Sequence, residues 1–437
     1  MLFFLSLQIH SQAWVPIGIG VNGYVNTLFV YDSVMYAGGS FTSPGNNIAQ
    51  WNGSNWDSVS SGTNNEVYAF GKYKGLIYVG GWFSKAGGHS AGSIATWNGK
   101  SYANAGFDVE AGKYSAGIVD VICQYDSLLY IGGQFDSVDH KRPSGLVTWN
   151  GTKTDSLNTF YGGWWSNVSI LTTCKNLLFI GFGPGYNGGQ SVGTWNNKTD
   201  NGLGNDYFCT ASSSVNLYMN AFCTVDSNLY LGGHFSYYYH NTFSQRDTVH
   251  NIAMWNGTTW TALGKRIQGT VNALVYYNNL LIAGGSFDSA GGIAVNNIAA
   301  WNGTSWSAIG NGVNGPVYAL AIFDSVLYAG GDFSSPGNGI AKFDATYKIT
   351  PTINIDSVNI FPNPNKGQFT VVCNKSLISN TSVSIEIYNI LGEKILYSNL
   401  VNSNTNIDLV KQPAGIYIYK IYTSQGNLIN PGKLIIE

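Results

Sequence analysis

Charged residues are scarce in this chain. They make up 10% of its 437 residues, and 21 Lys and Arg against 23 Asp and Glu give a formal net charge of −2. No cluster of Lys and Arg stands out, which argues against nucleic acid or an anionic lipid surface as a partner. No stretch reaches the roughly 18 apolar residues that a membrane-spanning helix requires, so we expect no transmembrane segment.

Helical periodicity and paired cysteines are also missing. Apolar residues nowhere repeat with sustained helical spacing, whereas aromatics reach 14% and glycine numbers 55, which favours many short strands joined by tight turns. The five cysteines show neither a C-x-x-C pair nor metal-ligand spacing. Cys123 and Cys223 are predicted to be small core residues, because they hold the same phase of two sequence repeats. A disulfide between Cys209 and Cys223 remains an open alternative.

Common sequence signatures of catalysis are absent as well. The chain has no nucleophile elbow, phosphate loop or zinc-binding spacing. His234, His240 and His250 share one long insertion and could meet around a metal, but histidines in loops more often face solvent. We therefore expect no metal, no cofactor and no enzymatic activity.

The chain does contain a long internal repeat, marked by the tripeptide Trp-Asn-Gly and a second aromatic shortly after it. Clear copies begin at Trp51, Trp97, Trp149, Trp255 and Trp301, and degenerate copies at Trp195 and Phe343. Successive copies lie 42 to 60 residues apart. This period is typical of radial or stacked repeats.

Each copy predicts four short strands. In the sixth copy these are 271–276, 280–287, 297–302 and 306–310, each bounded by Gly, Asn, Asp or Ser. The Asn-Gly after each Trp suits a hairpin with positive φ, and the Gly-Gly pair that ends each second strand suits close packing. Recurring Asp residues between the first two strands are predicted turn residues, namely Asp32, Asp126, Asp226 and Asp324. Seven such units predict an all-β, seven-bladed, four-stranded β-propeller over residues 14–348.

The segment before the first repeat and the end of the sixth repeat have similar sequences. Residues 14–23 align in register with residues 306–315, whereas the seventh copy stops near Tyr347 without a final strand of its own. We therefore predict that residues 14–18 complete the seventh blade, which closes the ring and removes its exposed edges.

The repeat resembles the kelch family of propellers. The likeness rests on an apolar strand, Leu-Tyr-x-Gly-Gly, then Ile-Ala-x-Trp-Asn and a second Trp, and it covers about residues 14–348. Trp-Asn-Gly stands where Tyr-Asp-Pro is frequent in that family, so the unit is only kelch-like. The resemblance implies a fold and no particular activity.

Residues 1–13, MLFFLSLQIHSQA, resemble a secretory signal peptide with a truncated start. A short apolar run precedes Ser11-Gln12-Ala13, a small-x-small cleavage pattern, but the usual basic start is missing. A short apolar lead-in to the first strand is the alternative.

The repeat pattern ends before a predicted linker at 349–358, and a different sequence pattern follows it. Residues 359–437 predict a small Ig-like β-sandwich with strands at 383–388, 394–397, 416–422 and 433–436. This module resembles the type A C-terminal sorting domain of the type IX secretion system of Bacteroidetes-type bacteria. The matching motif residues are Phe361, Pro362, Asn363, Pro364, Gly367, Phe369, Gly392, Gly415, Tyr417 and Lys433. The resemblance implies export through the periplasm, recognition by the type IX secretion machinery, and a secreted or outer-surface location. An ordinary adhesive sandwich domain is the alternative.

Aromatic residues outside the repeat register are the candidate ligand-binding groups. They are Trp82, Trp164, Trp165, Tyr186, Tyr237, Tyr238 and Tyr239. In a four-stranded blade, the loop after strand two and the crossover between blades open on one face, where exposed rings suit sugar stacking or a protein partner. Alternatively, these rings fill the central channel or pack between irregular blades.

Three functions follow from this sequence. The first is a secreted or cell-surface binding or adhesion protein whose propeller loop face engages a glycan or a surface protein. The second is a glycan-active or galactose-oxidase-like enzyme, which needs convergent titratable groups that this charge-poor chain offers sparsely. The third is a structural surface protein without a discrete ligand.

Overall fold

The computed structural model of the chain describes residues 13–111, 115–139, 145–157, 167–182, 190–196, 207–209, 217–239, 246–345, 358–373, 383–390, 393–423 and 428–437. These residues form strands and turns, with no helix among them that could cross a membrane, and they confirm the all-β prediction. The chain divides into two compact units, with the boundary between Tyr347 and Lys348. Residues 1–12 of the predicted signal peptide and 349–357 of the predicted linker lie outside the described residues.

The first unit consists of short strands. In chain order they are β1 (Ala13–Pro16), β2 (Tyr24–Tyr31), β3 (Val34–Ser40), β4 (Ile48–Trp51), β5 (Trp56–Ser58), β6 (Val67–Tyr73), β7 (Leu76–Gly81), β8 (Lys85–Ala86), β9 (His89–Ser90), β10 (Ile94–Trp97), β11 (Tyr102–Asn104), β12 (Val109–Ala111), β13 (Ser115–Ala116), β14 (Ile118–Tyr125), β15 (Leu128–Gln134), β16 (Ser137–Val138), β17 (Leu146–Trp149), β18 (Thr154–Ser156), β19 (Val168–Cys174), β20 (Leu177–Phe182), β21 (Gln190–Trp195), β22 (Tyr207–Cys209), β23 (Tyr218–Val225), β24 (Asn228–His234), β25 (Tyr237–Tyr239), β26 (Arg246–Thr248), β27 (Ile252–Trp255), β28 (Trp260–Ala262), β29 (Ile267–Tyr277), β30 (Leu280–Ala290), β31 (Ile293–Ala294), β32 (Ile298–Trp301), β33 (Trp306–Ala308), β34 (Val317–Phe323), β35 (Val326–Gly331) and β36 (Ile340–Asp344).

Seven antiparallel sheets of this unit share one plan, in which four strands pair in the order one, two, three, four. We number the sheets from first to seventh as β2-β3-β4-β5, β6-β7-β10-β11, β14-β15-β17-β18, β19-β20-β21-β22, β23-β24-β27-β28, β29-β30-β32-β33 and β34-β35-β36-β1. The fourth sheet continues beyond β22 into β25 and β26, which come from the insertion of the fifth repeat. Short accessory strands make two further small sheets, β12 with β13 and β16, and β8 with β9.

The seventh sheet is assembled from both ends of the array. β1 pairs antiparallel with β36, with Trp14 opposite Phe343 and Ala13 opposite Asp344. The Trp14 and Phe343 rings lie 5.5 Å apart, and Trp14 Nε1 donates to the carbonyl oxygen of Ile309 at 2.9 Å. The strand predicted at residues 14–18 thus supplies the fourth strand of the seventh sheet, although it spans Ala13–Pro16.

The hairpin turns show the backbone that their residues predict. Asp32 and Ser33 have φ of 50° and 59°, and Asp324 and Ser325 have 49° and 61°, so both central residues are left-handed as in a type I′ turn. In the other loop type, Asn52 Oδ1 accepts hydrogen bonds from the two backbone N–H groups that follow Gly53, at 2.9 and 2.8 Å. The Asp and Asn residues are therefore turn residues, as predicted.

Neighbouring sheets touch through their first strands in a closed order. The first strands of consecutive sheets contact one another from β2 through β6, β14, β19, β23 and β29 to β34, and β34 contacts β2. The first glycine of each Gly-Gly pair lies at this contact: a Cβ on Gly132 would lie 2.6 Å from Val168 Cγ1 of the next sheet. A Cβ on Gly330 of the seventh sheet would likewise lie 2.7 Å from Val25 Cγ1 of the first sheet. Close packing between sheets therefore excludes larger side chains, as the sequence predicts.

The second unit contains two antiparallel sheets. Its strands are β37 (Val358–Phe361), β38 (Gln368–Cys373), β39 (Val383–Tyr388), β40 (Lys394–Leu400), β41 (Asn404–Asp408), β42 (Gly415–Thr423) and β43 (Leu428–Ile436). One sheet has the order β37-β38-β41 and the other β40-β39-β42-β43. Val371 of the first sheet shares one core with Ile385 and Leu434 of the second, and all three are fully buried. Two sheets on one core form a small sandwich.

Candidate functional site

A β-bulge interrupts the first strand of each of the seven sheets at the same place. The strand register shifts immediately after Val25, Val67, Val119, Val168, Met219, Val271 and Val317. A bulge leaves one extra residue unpaired and redirects its side chain. We name the seven extra residues the bulge ring: Asn26, Tyr68, Asp120, Ser169, Asn220, Asn272 and Tyr318.

Side chains of the bulge ring reach across to the next sheet. Four hydrogen bonds link them: Asn26 Nδ2 to Val67 O at 3.3 Å, Ser169 Oγ to Met219 O at 3.1 Å, Asn220 Nδ2 to Asn272 Oδ1 at 2.9 Å, and Asn272 Nδ2 to Val317 O at 3.1 Å. These bonds join the first sheet to the second and connect the fourth, fifth, sixth and seventh sheets in succession, at the places where their first strands meet.

Two further rows of residues flank the bulge ring. One row precedes each Val or Met at the start of the first strand: Tyr24, Glu66, Ile118, Asn167, Tyr218, Thr270 and Pro316. The other row follows the Gly-Gly pair on the second strand: Ser40, Trp82, Gln134, His234, Ser286 and Asp332. The rows lie side by side, since Tyr24 pairs with Ser40 and Tyr218 with His234. The bulge ring and these two rows together are named the rim.

A carboxylate with two phenol partners lies on the rim. Tyr24 OH donates to Glu66 Oε1 at 2.8 Å, and Tyr68 OH donates to Glu66 Oε2 at 2.5 Å. Burial, and then the hydrogen bond to Glu66, raises the pKa of both phenols, so both stay protonated donors at neutral pH. These two hydrogen bonds fix the positions of the Tyr24, Glu66 and Tyr68 side chains, which come from two neighbouring sheets.

A second carboxyl group follows on the third sheet. Asp120 Oδ2 accepts a hydrogen bond from Gln134 Nε2 at 3.1 Å. Burial raises the pKa of Asp120 to about 6, and the Gln134 hydrogen bond opposes part of that rise. The charge of Asp120 also contributes to the raised pKa of Tyr68, so the two side chains are neighbours.

Trp82 is the predicted ligand-binding residue that lies on the rim. Its backbone N–H donates to the carbonyl oxygen of Glu66 at 2.9 Å, and its side chain is 45% exposed. Tyr218, which the sequence did not single out, is a second rim aromatic and is 49% exposed. Aromatic rings this exposed offer faces for stacking.

The three tyrosines at 237–239 lie elsewhere. They form β25, which pairs with β22 in the extension of the fourth sheet, and they are not rim residues. Tyr238 is 1% exposed and lies 5.7 Å from the Phe208 ring, so it is a core residue and no ligand-binding platform. Alternation along the strand turns Tyr237 and Tyr239 to the opposite side, where the Arg246 guanidinium covers the Tyr237 ring at 4.3 Å.

Trp164, Trp165 and Tyr186 lie outside the described residues, as does Gly392 of the sorting motif. The described cysteines are all free thiols, Cys209 and Cys223 included. Cys123 and Cys223 are half-buried, and burial raises the pKa of each to about 11. No group of three His, Cys, Asp or Glu side chains that could hold a metal occurs among the described residues.

Sequence reasoning missed most of the rim. A signal existed: each first strand contains a Val or Met followed by one polar or tyrosine residue, as in Val25-Asn26 and Val119-Asp120. In a regular strand, alternation of side chains already accounts for a single polar residue that faces solvent. The bulge that redirects this residue can therefore be recognised only once the pairing register of the strands is known.

In the second unit, the sorting-motif asparagine binds the last strand of the chain. Asn363 Nδ2 donates to Lys433 O at 2.7 Å, and Asn363 Oδ1 accepts from Ile435 N at 2.8 Å. Asn365 continues this contact, since its N–H donates to Ile435 O at 2.9 Å and its carbonyl accepts from Glu437 N at 2.8 Å. The first motif of the module, around Asn363, therefore contacts the last motif, which lies on β43.

The other motif residues divide into core and surface. Phe369 and Tyr417 are buried, and Tyr417 OH donates to Pro413 O at 2.8 Å. Gly367 has φ of 89°, and a Cβ there would lie 2.6 Å from the Val410 backbone. Phe361, Pro362, Pro364, Gly415 and Lys433 are exposed, with Phe361 at 55%.

Comparison with known proteins identifies the second unit. Residues 359–437 match the family model of the secretion system C-terminal sorting domain. The match confirms the sorting domain predicted from the motifs, and this domain indicates secretion to the cell surface by the type IX machinery.

Two solved structures are similar to the whole chain. Both are the extracellular domain of BT4673 from B. thetaiotaomicron, described once as a one component system and once as a hybrid two component system. Their sequence identities are 13% and 11% and their TM-scores 0.46 and 0.45; each match covers 98% of this chain and 58% or 59% of the other. The chain thus spans under two thirds of the length of these structures. No curated protein matches it.

Proposed function

We propose that the first unit is a kelch-like, seven-bladed β-propeller. Its support is the closed order of seven four-stranded sheets, in which Gly330 of the seventh sheet packs on Val25 of the first and β1 completes the seventh sheet. The bulge ring would then surround one mouth of the central channel. An experimental structure of the protein tests this, and a ring of six or eight blades would overturn it.

We further propose that the protein is a cell-surface binding protein whose rim engages a glycan. The observation that carries this proposal is Trp82, a half-exposed indole beside Glu66 and its two phenol donors. An aromatic face stacks on the apolar face of a sugar ring, while an oriented carboxylate accepts its hydroxyl hydrogens. A surface destination, which the sorting domain supplies, exposes such a site to extracellular glycans.

A glycan array probed with the purified protein tests this function. Trp82→Ala should weaken binding to any glycan hit by about tenfold or more, because a stacked aromatic contributes on the order of 1.4 kcal/mol or more. The matched control is Tyr276→Ala, which removes a 40% exposed ring from the body of β29, away from the rim, and should leave binding unchanged. Equal loss in both variants, or no glycan hit at all, would refute the proposal.

A glycan-active enzyme is the second candidate, favoured by one observation. Burial gives Asp120 a pKa of about 6, which suits a general acid near neutral pH, and Glu66 supplies a second carboxyl group on the adjacent sheet. Release of new reducing ends from an array hit, abolished in Asp120→Asn, would favour it. Binding without turnover supports the binding protein.

A further inference from the structure

Aromatic rings are concentrated on the rim and run across neighbouring sheets. The five are Tyr24, Tyr68, Trp82, Tyr218 and Tyr318. Tyr318 of the seventh sheet meets Tyr24 of the first edge-to-face, with ring centroids 6.4 Å apart, and Tyr24 is joined through Glu66 to Tyr68 of the second sheet. Three consecutive sheets thus present a connected set of rings, beside which the indole of Trp82 is exposed.

The charges between these rings are of one sign. The rim carries the carboxyl groups of Glu66, Asp120 and Asp332, the imidazole of His234, and no Lys or Arg among its described residues. The chain as a whole has 21 basic against 23 acidic residues, so this imbalance is local to the rim. Asp332 lies beside Tyr318, because its charge is one cause of the raised pKa of that phenol. Carboxyl groups therefore lie beside the rings at three places between the seventh sheet and the third: Asp332 beside Tyr318, Glu66 between Tyr24 and Tyr68, and Asp120 beside Tyr68.

Such a surface discriminates between sugars by charge. A neutral sugar could stack on Trp82, but it would cover carboxylates without supplying a counter-charge, which costs desolvation energy. An acidic sugar would be repelled. A protonated amine, in contrast, is attracted by the carboxylates and by the faces of tyrosine and tryptophan rings, with cation–π contacts contributing about 0.5 to 2 kcal/mol each.

We propose that the rim binds glycans that carry free amino groups, meaning amino sugars whose nitrogen is unacetylated and protonated. The proposal deepens the glycan-binding function above and rests on it. Glu66, held by two phenols, and Trp82 beside it are the groups assigned to the ammonium and to the sugar face of one residue. Asp120 and Asp332 extend the anionic path to the adjacent sheets, which suits an oligomer.

The test uses one glycan backbone with and without its amines. Binding of the full chain is measured by calorimetry to a glucosamine oligomer and to the same oligomer fully N-acetylated, at low salt and at a pH just above the pKa of about 6 of Asp120, so that this carboxyl group is mostly ionised. We expect the free-amine oligomer to bind at least about tenfold more tightly, because acetylation removes the charge that meets the carboxylates. Added salt should reduce this preference, since exposed charges are screened.

Two variants assign the preference to the rim. Glu66→Gln keeps the shape of the side chain and should bring the preference down to about threefold or less, while Asp57→Asn, which removes an exposed carboxylate on β5, should leave it unchanged. Equal or tighter binding of the acetylated oligomer would overturn the inference and leave the glycan-binding function standing. Failure of both oligomers and of every array glycan would instead remove the proposed function itself.

Discussion

Replacing Trp14 by alanine tests how much β1, the fourth strand of the seventh sheet, contributes to the stability of the protein. Trp14 is 4% exposed, packs on Phe343 and donates to Ile309 O. Truncating a buried Trp costs about 3 to 5 kcal/mol, part of which is the buried carbonyl left without its donor. We therefore expect Trp14→Ala to lower the free energy of unfolding by about 4 kcal/mol, roughly a thousandfold in the equilibrium constant.

Urea-induced unfolding followed by circular dichroism measures this change. Trp82→Ala is the matched control, because its 45% exposed indole leaves the rim without opening a core cavity, and a change within about 0.5 kcal/mol is expected. Trp14→Phe, which keeps a ring but loses the N–H donor, should fall between the two. If Trp14→Ala and Trp82→Ala unfold at the same urea concentration, β1 does not contribute the closing strand that its pairing indicates.

Three further predictions concern other parts of the chain. Gly132→Ala places a Cβ 2.6 Å from Val168 Cγ1 and should destabilise the protein by about 1 to 3 kcal/mol in urea unfolding, whereas Gly415→Ala, with nothing within 4 Å, should be nearly neutral. Burial raises the pKa of Asp120 to about 6, so the folded protein binds this proton more tightly than the unfolded chain, and stability is lost as pH rises through about 6. Asp120→Asn should therefore be more stable than wild type near pH 8 and lose this advantage below about pH 4, and a pH-independent difference would contradict the linkage. Asn363→Ala removes two hydrogen bonds to β43 and should lower both the thermal stability of the sorting unit and the amount of surface-exposed protein.

The strand that completes the seventh repeat could be predicted, because the segment before the first repeat resembles the end of the sixth repeat. Residues 14–23 resemble residues 306–315 in register, so it could be predicted without coordinates that residues 14–18 supply the missing strand of the seventh repeat, whereas the exact pairing of Trp14 opposite Phe343 comes from the structure. The turn residues were equally accessible, since Asp-Ser and Asn-Gly have few backbone alternatives between two apolar runs.

The rim could not be predicted in the same way. A bulge inserts one residue without changing local composition, so Asn26 and Asp120 look like ordinary solvent-facing strand residues. At 237–239, three identical tyrosines carry no alternation of polarity, so the sequence does not say that Tyr238 is the buried one. The link from Asn363 to Ile435 spans 72 residues, and no local pattern encodes such a distant contact.

The composite seventh sheet also bears on how such a gene can change in length. Because β1 and β36 meet wherever the array ends, duplication or loss of one whole repeat would still deliver a matching final strand to the open place. Loss of part of a repeat would leave an unpaired strand edge, which is a site of aggregation. Selection for solubility would therefore favour the gain or loss of strands in complete sets of four, whereas an insertion such as the one that carries β25 and β26 lies between two strands of a sheet and leaves their pairing intact.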